Sequence, residues 1–222
     1  MKWIYPLGLI TILLTSCQSL PVINAPVQRS DGKIFACPSP FLKERYRLVH
    51  AIEISMAGNT QAVVIGVTVA DPSTRLLSCA IMTAEGIVLF EAEEEAGLLI
   101  VYRALPPFDS TDFAQNMIED IKLIFFAPAG KFEQKGYFPS GAAVCRWREE
   151  NGGWIDVLSN QQKGMEVKRY SPWGSLNRYV KFGKTQKNIH QNIELGANEP
   201  YSYSLFMKMI EAQPAKEKTA QK

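Results

Sequence analysis

The stretch of residues 109–128 constrains the fold most, because it is the one long helical pattern in a chain otherwise rich in strand-like segments. Ser110 or Thr111 can cap its start. Towards its end, Leu123 and Phe126 lie among the polar positions, so the second half is apolar all round. We therefore expect a helix that starts on a surface and ends in an apolar interior. Along most of the predicted helix, apolar side chains share a sector of about 140° around the helix axis. They are Phe113, Ala114, Met117, Ile118, Ile121, Ile124 and Phe125.

Strand-like segments flank this helix. Turn signals separate five of them before it, at 50–58, 60–71, 75–84, 86–95 and 97–105. A short helical turn is predicted at 130–136. Six more strands follow, at 142–148, 154–159, 165–170, 176–182, 189–195 and 201–211. The order predicts a mainly β fold, a strongly curved antiparallel sheet or half-barrel of about eleven strands with a covering helix.

The amino terminus has the pattern of a secretory signal. Residues 1–16 contain one lysine, an apolar run and small residues before Cys17, and the run is too short to cross a membrane. The sequence Leu-Thr-Ser-Cys at 14–17 resembles the lipobox of bacterial lipoproteins. The resemblance implies cleavage before Cys17 and its acylation with chains such as palmitate. Gln18, where an Asp would favour the inner membrane, points to the outer membrane. An ordinary signal peptide with a chance cysteine is the alternative.

The remaining chain fits a single domain. We predict a lipidated tether at 17–33, one domain at 34–211 and a disordered tail at 212–222. The formal net charge of the whole chain is +2. Because no basic stripe stands out, the sequence gives no electrostatic indication of nucleic-acid binding.

Three cysteines follow Cys17, at Cys37, Cys79 and Cys145, and none belongs to a CxxC pair. An exported protein permits one disulfide, which would leave one thiol over. Each cysteine also lies among apolar or small residues, as buried free thiols do. Both alternatives stay open at the level of sequence.

No pattern points to an enzyme, a cofactor or a metal. His50 and His190 lie in separate predicted strands without a motif partner. The acidic run at 91–95 flanks a turn and lacks the ligand spacing of an EF-hand, so a solvated hairpin end is favoured over a cation site. Glu119 and Asp120 lie beside the apolar half of the helix. A functional buried acid is one interpretation, and contact with solvent, an arginine or the backbone is the favoured one.

Taken together, the order of features over 48–209 resembles a family of bacterial lipoproteins of unknown function, related to the LolA/LolB-type lipoprotein-carrier fold. The resemblance rests on LIVYRALPPF, NMIEDIKLIFFAP, SPWGSLNRYVKF and the aromatic-x-Leu pattern at 203–205. The family's helix pattern fits Ile118, Asp120, Ile121 and Leu123, but Phe-Ala-Pro at 126–128 replaces its closing Trp-Pro. The resemblance implies an eleven-stranded half-barrel, covering helices and an apolar cavity for acyl chains. Carriers of the LolB type insert lipoproteins with an exposed Leu on a projecting loop, and 105–108 is the nearest candidate here.

Our leading hypothesis is a non-enzymatic lipoprotein that faces the periplasm and binds an acyl chain or other hydrophobic ligand, with a role in lipid or lipoprotein trafficking. The alternative is an assembly or scaffold lipoprotein with a filled core, whose surface docks another envelope protein. A lipid hydrolase lacks a recognisable nucleophile–base pair. Core packing and ligand contact are equally compatible with the residues predicted to line the cavity: Met117, Ile118, Ile121, Phe125, Phe126, Tyr203, Leu205 and Met207.

Overall fold

Twelve antiparallel strands form one continuous sheet in the computed structural model, which describes residues 19–25, 35–56, 58–160, 164–198 and 202–215. The sheet order is β5-β4-β3-β2-β1-β14-β13-β10-β9-β8-β7-β6, and β11 and β12 form a separate pair. Before the helix lie β1 Tyr46–Met56, β2 Asn59–Asp71, β3 Leu76–Met82, β4 Val88–Glu95 and β5 Leu98–Ala104. After it come β6 Lys131–Tyr137, β7 Ala143–Arg148, β8 Trp154–Asn160, β9 Gly164–Tyr170, β10 Leu176–Phe182, β11 Thr185–Gln186, β12 Ile189–His190, β13 Asn192–Ala197 and β14 Tyr203–Pro214.

One face of this sheet, here called the inner face, packs against the helix α1, Thr111–Phe125. Buried side chains from both ends of the strand order meet the helix in one core, among them Phe90 of β4 and Val157 of β8. Strands so far apart in the order reach one helix only if the sheet curves around it. The predicted curved antiparallel sheet with a covering helix is confirmed.

The helix has the two halves that its sequence predicted. Ser110 caps it, its hydroxyl accepting a hydrogen bond of 3.1 Å from the backbone N–H of Phe113. Thr111, Asp112 and Gln115 in the first half are exposed. Residues 123–126 are buried at four consecutive positions, so the end of the helix is enclosed on all sides.

Three details differ from the sequence prediction. Residues 131–137 form the edge strand β6, not a helical turn, because their backbone pairs with β7 from Lys131↔Arg148 to Tyr137↔Ala143. The strand predicted at 189–195 is divided between β12 and β13. The last strand continues to Pro214, which pairs with Tyr46, so the tail predicted from 212 begins too early. Residues 216–222 lie outside the described residues.

Residues 21–25, here called the strap, bind the outer face and edge of the sheet instead of forming part of a free tether. Asn24 and Tyr137 exchange two backbone hydrogen bonds of 2.9 Å. Ile23 is buried against Val144 and Leu158 on the outer face. A Cβ atom on Gly136 would overlap the carbonyl oxygen of Asn24, so only glycine permits this approach. The predicted signal peptide, Cys17 and the tether segment 26–33 lie outside the described residues.

A disulfide joins Cys37 to Cys145, with their Cα atoms 5.7 Å apart. Cys79 is a buried free thiol, and burial raises its pKa to about 12. Of the two alternatives left open by the sequence, one disulfide plus one free thiol is therefore the arrangement found. No helix in the described part of the chain is long and apolar enough to cross a membrane.

The disulfide closes a long loop, since 108 residues separate its cysteines. We expect the double variant Cys37→Ser/Cys145→Ser to lose about 2–5 kcal/mol of unfolding free energy, because its unfolded chain is less constrained. Denaturant unfolding with and without reductant measures this. The double variant itself is the control, as reductant should leave it unchanged; an unfolding midpoint in the parent that ignores reductant would contradict the prediction.

Candidate functional site

Side chains of the helix and of β14 pack together in the interior between them. Six of the eight residues predicted to line a cavity pack in the core without lining either pocket described below. These are Met117, Ile118, Ile121, Tyr203, Leu205 and Met207. Ile118 is fully buried and Met207 is 5% exposed. The predicted shared face of Tyr203, Leu205 and Met207 is the one that meets the helix. Their contact with a ligand stays a prediction.

A buried polar group lies in this interior and ties the helix to two strands. Asp120 accepts a hydrogen bond of 2.9 Å from Nε of Arg178 on β10 and another from the hydroxyl of Tyr203 on β14. Burial raises the pKa of Asp120, and the bonds from Tyr203 and Arg178 act against that rise. Burial and the charge of Asp120 raise the pKa of Tyr203. Asp120 therefore pairs with an arginine, which is one of the structural roles that the sequence analysis favoured over a functional buried acid.

His50 lies under the end of the helix and is 1% exposed. Its ring centroid is 6.1 Å from that of Phe125, and neither ring nitrogen has a hydrogen-bond partner among the described residues. Desolvation by burial lowers its pKa to about 4. The imidazole is thus held neutral in an apolar environment, where a charge would be costly.

A small pocket lies at this end of the interior, with Leu48, Ile124, Phe125 and Met209 among its lining residues. Its volume is about 10 Å³. A cavity needs about that much to hold one water molecule. The pocket therefore has no room for an acyl chain without movement of the side chains around it.

A much larger open cleft, of about 420 Å³, lies beside the end of the helix. This volume falls in the range typical of small-molecule sites, about 300–1,000 Å³. The helix end supplies Leu123 and Phe126, the segment before β1 supplies Phe41, and β8 supplies Ile155. All four side chains are at least nine-tenths buried, and together they form an apolar floor.

Charged side chains surround that floor, and most of them are paired. Nζ of Lys122 lies 3.0 Å from Glu94 and 2.6 Å from Glu119. Arg169 contacts Glu119 at 3.3 Å and Glu149 at 2.8 Å. Burial lowers the pKa of Lys122, but the hydrogen bonds that Lys122 donates to Glu119 and Glu94 outweigh this effect, so that the net shift is a rise. The network holds both cations in place at the wall of the cleft.

Among the cations that line the cleft in the described part of the chain, Arg75, from the turn between β2 and β3, is the exception. It donates a hydrogen bond of 3.2 Å to the carbonyl of Ala127, and its guanidinium lies 5.2 Å from the ring centroid of Phe126. Among the described residues, no carboxylate lies within 4.0 Å of it. An exposed cation thus stands over the apolar floor, an arrangement suited to a ligand with an apolar body and a polar or anionic end.

The sequence predicted only part of this site. Phe126 lines the cleft and Phe125 the small pocket. Phe41, Arg75 and Ile155 were missed, since they come from segments far apart in the chain. The acidic run at 91–95 forms no metal site among the described residues, and its Glu94 pairs with Lys122 instead.

No protein-family model and no curated protein sequence matches the chain. Among solved structures, a LolA superfamily protein from Nitrosomonas europaea is similar, with a TM-score of 0.54 and 9% identity, over 79% of this chain and 88% of that one. A second, described as an outer membrane lipoprotein-sorting protein domain from Vibrio parahaemolyticus, has a TM-score of 0.45 and 8% identity, over 78% and 88%. At such identities the likeness concerns the fold alone. The fold is LolA/LolB-like, as the sequence resemblance implied.

The buried group at Asp120 yields a stability prediction. We expect Asp120→Ala to cost about 3–5 kcal/mol of unfolding free energy, because Arg178 stays buried without its carboxylate partner. Chemical denaturation measures the loss. The exposed Asp112→Ala on the same helix is the control, with an expected cost below about 1 kcal/mol. Equal effects of the two variants would refute this role of Asp120.

His50 makes the stability depend on pH. The unfolded chain takes up a proton at His50 below about pH 6.5, whereas the folded protein does so only near pH 4. The free energy of unfolding therefore falls as the pH falls from about 6.5 to about 4, and His50 accounts for about 3 kcal/mol of this loss. In His50→Leu, this part of the dependence should disappear. Unfolding curves from pH 7 to pH 4 test it, and parallel pH profiles for parent and variant would contradict it.

Proposed function

We propose that the chain is a non-enzymatic envelope lipoprotein that binds an acyl chain or another hydrophobic ligand in the 420 Å³ cleft. The observation that carries this proposal is the apolar floor of Phe41, Leu123, Phe126 and Ile155 within a charged rim, on a LolA/LolB-like fold. Burial of the ligand's apolar surface would supply the affinity, at about 25 cal/mol per Å² before the costs of association. Arg75 would receive the polar end.

Anchoring is the second part of the proposal. Acylation at Cys17 would hold the chain on a membrane, because several buried acyl chains each contribute about 0.8 kcal/mol per CH₂ group. The Gln after Cys17 supports the outer membrane, with the domain facing the periplasm. A binding protein placed there would take part in trafficking of lipids or lipoproteins.

A scaffold function is the second candidate, and the edge strand β5 favours it. Leu98, Ile100, Val101 and Tyr102 are each at least 42% exposed on this strand, which within the described part of the chain pairs with β4 alone. A free apolar edge can accept a strand from another protein. In this case the cleft would bind nothing, and the surface of β5 would dock an envelope protein.

Blocking the cleft distinguishes the two candidates. Ala129 is exposed and lines the cleft, so Ala129→Trp should fill it without disturbing the core. We expect the Kd for dansyl-undecanoic acid to rise about tenfold or more, a loss of at least about 1.4 kcal/mol. Fluorescence titration of the delipidated protein measures this.

Ala84→Trp is the matched control, because Ala84 is also exposed but lies in the turn between β3 and β4, outside the cleft. Its titration should match that of the parent. If the delipidated parent binds no probe and no lipid co-purifies with it, the binding proposal fails. Loss of a co-purifying envelope protein in Ile100→Lys would then support the scaffold function.

A further inference from the structure

The strap fixes the place where the amino-terminal segment leaves the sheet. On the outer face, Arg146 of β7 forms two hydrogen bonds of 2.6 and 2.7 Å with Asp156 of β8. The same guanidinium donates at 3.1 Å to the carbonyl of Pro21. Nε2 of Gln134 donates at 3.1 Å to the carbonyl of Ile23. The strap is therefore held at two of its carbonyl groups and by its pairing with Tyr137.

The strap also has a direction. Ile23 lies over Val144 and Leu158, which are paired across β7 and β8. Pro21 lies at the next outer-face pair, Arg146↔Asp156. The pair that follows is Arg148↔Trp154, at the end of the sheet. From Ile23 to Pro21, the contacts of the strap therefore move one residue pair closer to that end.

Few residues remain between this point and Cys17. Four peptide units separate Cys17 from Pro21, and a fully extended chain spans at most about 14 Å over that length. An acyl group on Cys17 could therefore reach the Arg148↔Trp154 end of the sheet. The anchor would hold the domain close to the bilayer surface, with little freedom to turn.

The same end of the sheet carries side chains suited to a lipid surface. Two turns, 149–153 and 171–175, meet there, since a Cβ on Gly152 would contact Pro172. Trp173 on the second turn is 84% exposed. Arg148 lies 4.6 Å above the ring of Trp154. Trp and Arg are residues that partition into the interface between water and hydrocarbon.

Charges at this end nearly balance. Lys131 and Arg148 are exposed, and Glu150 is exposed beside them. Lys131 contacts Glu133 at 3.4 Å, and Glu149 is paired with Arg169. Attraction to anionic lipid would therefore be weak, and contact would depend on the aromatic side chains. Added salt should change it little.

On the basis of the proposed acylation of Cys17, we propose that this end of the sheet lies in the bilayer interface with Trp173 inserted among the lipid headgroups. The turn at 149–153 is shared with the cleft, because Glu149, Glu150 and Asn151 line it. The mouth of the cleft would then stand next to the membrane. A hydrophobic ligand could pass between the two with little exposure to water.

The test uses the acylated full-length protein on phosphatidylcholine vesicles, with and without bromine in the acyl chains as a contact quencher of tryptophan. We expect clear quenching of the parent and loss of most of it in Trp173→Phe. Trp147→Phe is the matched control, since Trp147 faces the inner side with Ile155, and it should leave the lipid-dependent quenching in place. Quenching in the parent should persist at high salt.

A second variant tests the strap itself. Gly136→Val should displace the strap, because a Cβ there meets Asn24 and Ile23. The variant should still float with vesicles but lose quenching of Trp173. A parent that floats yet shows no bromine quenching would overturn the orientation alone. A parent without acyl mass on Cys17 would overturn the proposed anchoring and, with it, the orientation.

Discussion

The structure depends on the need to cover the inner face of a strongly curved sheet. Apolar side chains from β4 to β8 converge on that face, and water contact there would forfeit their burial free energy. One helix covers it, and residues 123–126 are enclosed on all sides as a result. Asp120 sets the helix in position, because only one register brings its carboxylate to both Arg178 and Tyr203. A purely apolar helix could slide along the same surface; a buried charge cannot move away from its partner without a large cost.

Both pockets lie towards the end of the helix. The pocket near Phe125 holds about 10 Å³, whereas the cleft beside Phe126 holds about 420 Å³. Neighbouring residues of one helix therefore have different environments, the first against core and the second at an opening. In a carrier with its cavity between helix and sheet, ligand entry would need the helix to move. Here Phe126 is 3% exposed and lines a cleft that is already open, so binding there would require no displacement of the Asp120 contacts.

Sequence patterns predicted the parts of the fold that are local. The helix and its two halves follow from a period of 3.6, and the inner face of β14 follows from a period of two. Strand β6 was missed because KFEQKGY is largely polar, as befits an edge strand with five exposed residues at its start. The disulfide and the cleft could not be predicted, because Cys37 meets Cys145, and Phe41 meets Ile155, only after the sheet has formed. A hydrophobic period describes a single helix or strand, whereas the disulfide and the cleft are each built from several segments of the chain.

The two edge strands of the sheet, β6 and β5, differ in how far other residues cover them. At β6, the strap pairs with Tyr137 and Ile23 covers the outer face, so this edge is shielded by the segment that follows Cys17. At the other edge, β5 exposes Tyr102 and its neighbours, and no described residue pairs with it beyond β4. Exposed apolar edges favour unwanted association unless something limits access to them. The proposed membrane contact is made by the turns 149–153 and 171–175 and not by β5, so the β5 edge would stay accessible to a protein. Because no residue of β5 lines the cleft, ligand exchange and protein docking would use different surfaces and could occur together.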